Sequence, residues 1–266
     1  MPETIPAPDG ETRVFLILGD PIAQVKAPRG ISLAFAERGV NGVLLPAQVT
    51  AGALDTLVAG LRYLRNLDGL VVTVPHKFAM LRHCATLTER ARLLGSVNLL
   101  RRNPDRGWHG DMSDGAGMLG AIEAAGGVVR GARALLVGAG GAGSAIGLAL
   151  VDAGVAALAI HDEDASRRDR LVALLQGRGA EVAAGSADPT GCALVVNATP
   201  AGMRPGDPLP VDPALLEEGA FVADVITMPE VTPLLAAARA RGCGTATGVG
   251  MFQAQQVVIA DFLLGL

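Results

Sequence analysis

The chain is poor in aromatic residues, lysine and cysteine. Phe, Tyr and Trp make up 3% of 266 residues, with one Trp and one Tyr. So few rings argue against stacking on bases or sugars, and the core must be built from Ala, Val and Leu. Lysine occurs only at Lys26 and Lys77, and the rest of the 22 basic residues are arginine. Against 26 acidic residues the net charge is −4. That leaves no electrostatic footprint for nucleic acid or an anionic membrane, and neither partner is expected. Cys84, Cys192 and Cys243 are odd in number and far apart, which fits neither a disulfide framework nor a metal cluster. They read as buried thiols in a reducing, cytoplasmic setting. The histidines (His76, His83, His109, His161) lack ligand spacing, so no metal site is expected. Long apolar runs are missing too. Ala132–Val137 is short and Phe252–Leu266 is interrupted, so neither supplies the roughly 20 apolar residues of a membrane span. Residues 1–12 are polar and Pro-rich with no basic stretch ahead of an apolar run, so no secretory leader is expected.

What is present is a half-apolar chain with 35 glycines at its turns. Short apolar runs at Arg13–Leu18, Gly42–Pro46 and Gly69–Val74 stop at Gly or Pro and read as buried strands. Helical stripes fall at Pro28–Arg38 and Gly52–Leu64, with short helices at Phe78–Cys84 and Glu89–Leu94. Ser96–Leu100 and Gly107–Trp108 are placed to pair across the polar turn 101–106. After Asp111 the texture changes: a helix over Gly115–Ala125 leads to strands at Ala132–Val137, Ala156–Ile160, Ala193–Val196, Phe221–Val225 and Thr245–Gly248, and the chain closes on a helix over Met251–Leu264. Strand–helix alternation predicts an α/β fold of parallel sheets covered on both faces. The division expected is a first unit over 1–112, joined by the C-terminal segment 248–266, and a second α/β unit over 113–247.

Gly138-Ala139-Gly140-Gly141-Ala142-Gly143 matches G-x-G-x-x-G between an expected strand and helix, with Asp162 following 24 positions after Gly138. Gly138 allows the tight turn, Gly140 lets the backbone approach a pyrophosphate, and Gly143 brings helix and strand together. This predicts a Rossmann doubly wound sheet for the second unit. Asp162 suits the ribose hydroxyls of NAD and repels a 2′-phosphate, although Arg167 and Arg168 keep NADP open. Two further residues suit hydride chemistry. Lys77 lies where an expected strand meets a helix start, and Asp114 stands at the expected unit boundary. A dehydrogenase needs a base for the hydroxyl proton, and the pair fits. A surface lysine and a helix N-cap aspartate fit the spacing equally well.

Several segments in order resemble the shikimate dehydrogenase family. They are Gly19-Asp20-Pro21-Ile22, Thr73-Val74-Pro75-His76-Lys77, Gly95-Ser96-Val97-Asn98, Gly110 to Asp114-Gly115-x-Gly117, Asn197-Ala198-Thr199-Pro200-Ala201-Gly202-Met203 and Gly248-Val249-Gly250-Met251 with Gln255. The resemblance implies Lys77 as acid/base group with Asp114 as partner. It implies that Thr73, Asn98, Asp114 and Gln255 meet the hydroxyls of a small cyclic alcohol. It also implies cofactor contacts at Gly138, Gly140, Gly141, Ala142, Gly143, Asp162, Asn197, Ala198, Thr199, Gly248 and Met251. The departures fall where relatives hold a substrate carboxylate. The hydroxyls of an S-x-S pair are replaced by Val25 and Ala27, and a tyrosine is replaced by Thr227. The expectation is an NAD-dependent dehydrogenase, NADP being the second choice, that oxidises a ring secondary alcohol other than shikimate. True shikimate or quinate dehydrogenase is the alternative, and a non-catalytic NAD(H)-binding sensor is the alternative of another class. A homodimer is compatible with the sequence.

Overall fold

The computed structural model describes residues 4–266. The chain divides into two compact units, Met1–Ser113 with Gln256–Leu266, and Asp114–Gln255.

The first unit contains β1 (Arg13–Gly19), α1 (Ala27–Glu37), β2 (Gly42–Gln48), α2 (Leu54–Leu61), β3 (Leu67–Val72), α3 (Lys77–Met80), β4 (Cys84–Leu87), α4 (Glu89–Leu94), β5 (Leu99–Arg102) and β6 (Trp108–Asp111). They form one sheet in the order β2-β1-β3-β5-β6-β4. β1 runs parallel to β2 and β3, whereas β5 is antiparallel to β3 and to β6. The sheet is therefore mixed: the expected parallel pairing holds for β2-β1-β3 and for β6-β4, and β5 runs against both of its neighbours. The β5–β6 pair is the hairpin expected across the polar turn 101–106, which is too short for the crossover that a parallel pair needs. Phe15 and Phe35 fill the centre with ring centroids 4.5 Å apart. The only tryptophan, Trp108, lies under Arg102, whose guanidinium is 3.4 Å from the ring centroid and donates to the carbonyls of Leu61, Leu67 and Arg106. The helix expected over 78–84 is present as one α-helical turn, α3, continued by a 3-10 turn over Leu81–His83. α3 ends at Met80, and Cys84–Leu87 pairs with β6 instead. That edge strand exists because β6 offers it a ladder, which local sequence pattern does not reveal.

The second unit contains α5 (Asp114–Ala124), β7 (Arg133–Val137), α6 (Gly141–Asp152), β8 (Ala157–His161), α7 (Ala165–Leu175), β9 (Glu181–Ala184), β10 (Leu194–Asn197), β11 (Phe221–Asp224), α8 (Pro233–Ala240) and β12 (Gly244–Ala246). The order β12-β11-β10-β7-β8-β9, parallel throughout, is the doubly wound arrangement with its switch point between β7 and β10. The pattern reading gave no strand at β9, a four-residue edge strand with one buried side chain.

The last helix, α9 (Gly248–Leu264), begins three residues earlier than expected and belongs to both units. Residues 248–255 group with the second unit, which corrects their assignment to the first. The reason is close packing. A Cβ on Gly117 would sit 3.0 Å from Gln255 Cβ, and one on Gly120 would sit 3.0 Å from Ala254 Cβ. The later turns cover the first sheet: Leu263 reaches Gly69, Arg38 pairs with Asp261 at 2.7 Å, and Gln256 donates to the Gly30 carbonyl at 2.8 Å. All three cysteines are free, and burial pushes the Cys84 thiol up to about 12. Among the described residues no group of His, Cys, Asp and Glu could hold a metal, and no helix is long and apolar enough to cross a membrane.

Candidate active site

The nucleotide turn can be built glycine by glycine. Gly138 follows β7 with φ 105°, a left-handed conformation that disfavours any side chain, and its backbone lies against Ala198 and Thr199. A Cβ on Gly143 would fall inside the Gly138 carbonyl, so glycine there sets the approach of α6 to the turn. Gly140, the N-cap of α6, is different. It has an ordinary φ of −72°, and no atom lies within 4 Å of a Cβ built on it. The protein itself therefore makes no demand for glycine at Gly140. The open space beside a helix N-terminus is the cradle that an approaching pyrophosphate would use, and the residues present fit a dinucleotide. Gly141 and Ala142 form the first turn of α6.

Asp162 follows β8 and is fixed at both oxygens. Oδ2 accepts from the Ala139 N–H at 2.6 Å, inside the glycine turn, and Oδ1 accepts from the Asp164 N–H at 2.8 Å. Asp164 is itself the N-cap of α7, accepting from the N–H groups of Ser166 and Arg167. Arg167 and Arg168 pair with Asp164 at 3.3 Å and with Asp169 at 2.8 Å.

Asn197, Ala198 and Thr199 meet the same turn from β10. Asn197 is fully buried. Its Nδ2 donates to Asp224 Oδ1 at 3.1 Å and to the Ala201 carbonyl at 3.4 Å, while Oδ1 accepts from the N–H and hydroxyl of Thr199 at 3.0 and 2.7 Å. Two donors and two acceptors are all an amide has, so Asn197 shapes the loop from within. Asp224 also accepts from the Thr232 hydroxyl and the Ile226 N–H. Burial pushes its carboxyl up to about 6 despite these three donors. The signal for this brace lay in the N-A-T segment, but Asp224 and Thr232 were not singled out by the sequence. Gly248 and Met251 open α9. A Cβ on Gly248 would fall inside the carbonyls of Val225 and Ile226, so close backbone packing demands that glycine, and Met251 is buried. Thr227, just beyond Ile226, is half-buried, as is Gln255, whose side chain lies against Gly117.

In the first unit Thr73, Lys77 and Asn98 gather at the carboxyl end of β3. The Val72 N–H donates to the Asn98 carbonyl at 2.7 Å and the Val97 N–H to the Lys77 carbonyl at 3.0 Å. Lys77 opens α3 and is 8% exposed, unusual burial for a lysine. Asn98 exchanges side-chain bonds with Ser113, its Oδ1 accepting from the Ser113 N–H at 2.8 Å and its Nδ2 donating to the hydroxyl at 3.0 Å. Asp114, the first residue of α5, is 4% exposed. The stretch leading to it is anchored at Asp111, which Thr88 and Arg90 bind. Burial works against the ionised Asp111, but the bonds from Arg90 and Thr88 and the Arg90 charge hold its carboxyl below the usual range. Neither Ser113 nor the Asp111–Arg90 pair was marked by the sequence, since both act through neighbours. Val25 lies in the loop after β1 and Ala27 is the buried first residue of α1. That loop adjoins Thr73 through the Asp20 N–H to Val74 carbonyl bond of 2.9 Å.

The model of the shikimate dehydrogenase substrate binding domain matches residues 17–100. A shikimate dehydrogenase (NADP(+)) from Rubrobacter xylanophilus is 37% identical over 265 residues, covering 96% of this chain and 91% of the relative. Among solved structures, the 5-ketofructose reductase of a Gluconobacter species superposes with a TM-score of 0.82 at 30% identity, covering 96% of this chain and 94% of the other. The shikimate 5-dehydrogenase of Listeria monocytogenes, solved with shikimate and NAD, gives 0.85 at 26% identity, with coverage of 100% and 96%. The chain belongs to the shikimate dehydrogenase family.

Proposed function

We propose that the protein is a shikimate-type NAD(P)-dependent dehydrogenase that interconverts a ring secondary alcohol and its ketone. The observation that carries the reading is Lys77, one of two lysines in the chain, buried at the carboxyl end of β3. Lys77 takes the hydroxyl proton on its amine as the alcohol is oxidised and returns it on reduction. Asp114 orients the ammonium and the hydroxyl, and Thr73, Asn98 and Gln255 hold the neighbouring hydroxyls. The nicotinamide, when bound, supplies the hydride acceptor. Gly138, Gly140 and Gly143 hold the pyrophosphate against the start of α6, with Gly141, Ala142, Ala198, Thr199, Gly248 and Met251 along the dinucleotide. For the adenosine end NAD is preferred. Asp162 and Asp164 are pinned by backbone N–H groups and cannot swing away from a 2′-phosphate, and both nearby arginines already carry carboxylate partners. The names of the curated relatives favour NADP, so both cofactors belong in the assay.

Two substrate readings have support. The names of the relatives favour shikimate, and one solved structure is of a quinate dehydrogenase. Val25 and Ala27 favour a ring or sugar alcohol without a carboxylate, since neither side chain can donate to one, and a structural relative is named for a ketosugar. The test is reduction of NAD and of NADP, followed by absorbance, with shikimate, quinate and carboxylate-free cyclic polyols, Lys77→Ala serving as the blank. Shikimate turnover that vanishes in the variant supports the first reading, and polyol turnover without shikimate turnover supports the second. NAD binding with no turnover of any alcohol would leave the protein a cofactor-binding sensor.

A further inference from the structure

His76 precedes Lys77 and is 1% exposed. Its ring Nε2 lies 2.7 Å from the Val49 carbonyl oxygen. A carbonyl only accepts, so this nitrogen must carry the proton. Val49 in turn donates its N–H to the Gly19 carbonyl at 3.0 Å, and the Thr73 N–H donates to the Leu18 carbonyl at 2.9 Å. The His76 N–H donates to the Thr73 carbonyl, and the His76 carbonyl accepts from the Met80 N–H. The bonds close a circuit across the carboxyl ends of β2, β1 and β3, with the imidazole as a side-chain link in it. α3 is a single turn of four residues and its N-cap makes no side-chain cap bond. So short a helix does not hold itself in place, and its first residue takes its position from the turn that precedes it together with the Val97 N–H on its carbonyl.

We propose that His76 is a positioning residue for Lys77: its ring, bonded to Val49, fixes the turn that presents the lysine and couples it to the end of β2. The inference rests on the reading of Lys77 as the acid/base group, yet it can be tested without turnover. The two lysines make the test simple. Exposed Lys26 is an internal reference for Lys77, and amine labelling read by mass spectrometry gives the ratio of their rates. In His76→Met, which fills the space without a donor, the Lys77/Lys26 ratio should change by about fivefold, the factor one neutral hydrogen bond is worth. His76→Gln, which keeps an N–H donor, should restore the parental ratio. An unchanged ratio in a folded His76→Met protein would overturn the proposal. Should that variant not fold, the imidazole ¹⁵N spectrum of the unaltered protein decides. A proton on Nε2, protected from exchange, supports the bond, and a proton on Nδ1 alone refutes it. If an alcohol substrate is found, His76→Met should lower kcat with the NAD dissociation constant unchanged, whereas a purely structural role would lower the folded fraction only. Absence of turnover in the unaltered protein would count against the enzyme reading, while the labelling ratio would still judge His76.

Discussion

The turns after β1 and β7 have the same place in their sheets, each leading from a parallel strand into a helix, but they are built on different principles. The turn after β7 is three residues of backbone, and what it offers a ligand is the start of α6 and open space at Gly140. The connection after β1 runs over residues 20–26, and Val25 and Ala27 at its end offer only apolar side chains. A backbone site keeps its chemistry whatever the neighbouring side chains become. A side-chain site changes its ligand with one or two substitutions. Cofactor class and substrate identity are therefore unequally constrained in this protein.

The comparison can be tested from the side-chain end first. Lys77→Ala should lower kcat at least about 100-fold, the usual worth of a general acid/base, while dinucleotide affinity measured by calorimetry stays put. Val25→Ser combined with Ala27→Ser should raise shikimate turnover about tenfold or more, since each charge-assisted bond to a carboxylate is worth roughly 1.5–3 kcal/mol. A double variant no better than the parent would show that the loop does not face the carboxylate. Gly143→Ala must push α6 from the turn, costing about 1–3 kcal/mol of stability in thermal unfolding and weakening dinucleotide binding. Gly140→Ala separates the two effects. Unfolding should move by no more than about 0.5 kcal/mol, while dinucleotide affinity falls. Equal loss of stability in both variants would break the distinction between a packing glycine and a ligand glycine.

Two of the buried aspartates, Asp224 and Asp111, sharpen the same contrast in charge. Asp224 is surrounded by neutral donors and its carboxyl is pushed up to about 6 by burial. The folded state therefore binds its proton more tightly than the unfolded state, and stability falls as pH rises from about 4 to 6. Asp224→Asn should flatten that slope in denaturant titrations. Asp111, paired with Arg90, is held below the usual range, so its contribution is present above the ordinary carboxylate pKa and is lost as pH falls through its lowered value. The smallest effect is expected at Ser96, whose buried hydroxyl has no hydrogen-bond partner. Ser96→Ala should be neutral or slightly stabilising, because it removes a desolvated group without breaking a bond.

Legibility followed the range of the interactions. The segments 69–74 and 193–196 were readable as strands because several buried positions in a row declare themselves, and 42–46 because a short apolar run stops at Pro46. β4 and β9 were not, since each is an edge strand of four residues that exists only where a neighbour supplies a ladder. The glycine turn was readable residue by residue because steric rules for Gly138 and Gly143 are local. The partners of Asn98 and Asn197 were not, because Ser113 and Asp224 lie 15 and 27 positions away.

The sequence by itself determined the α/β class, the doubly wound second unit, the nucleotide turn and the family. These rest on glycine stereochemistry and on hydrophobic period, which are properties of neighbouring residues. Tertiary structure alone decided the antiparallel seating of β5 on β3, the sharing of α9 between the units and the burial of Lys77. It also decided that His76 bonds to Val49 and that Asp162 bonds to the turn it follows. Each depends on which distant backbone groups meet, and the free energy of such a meeting is set by burial and pairing that no short window of sequence contains.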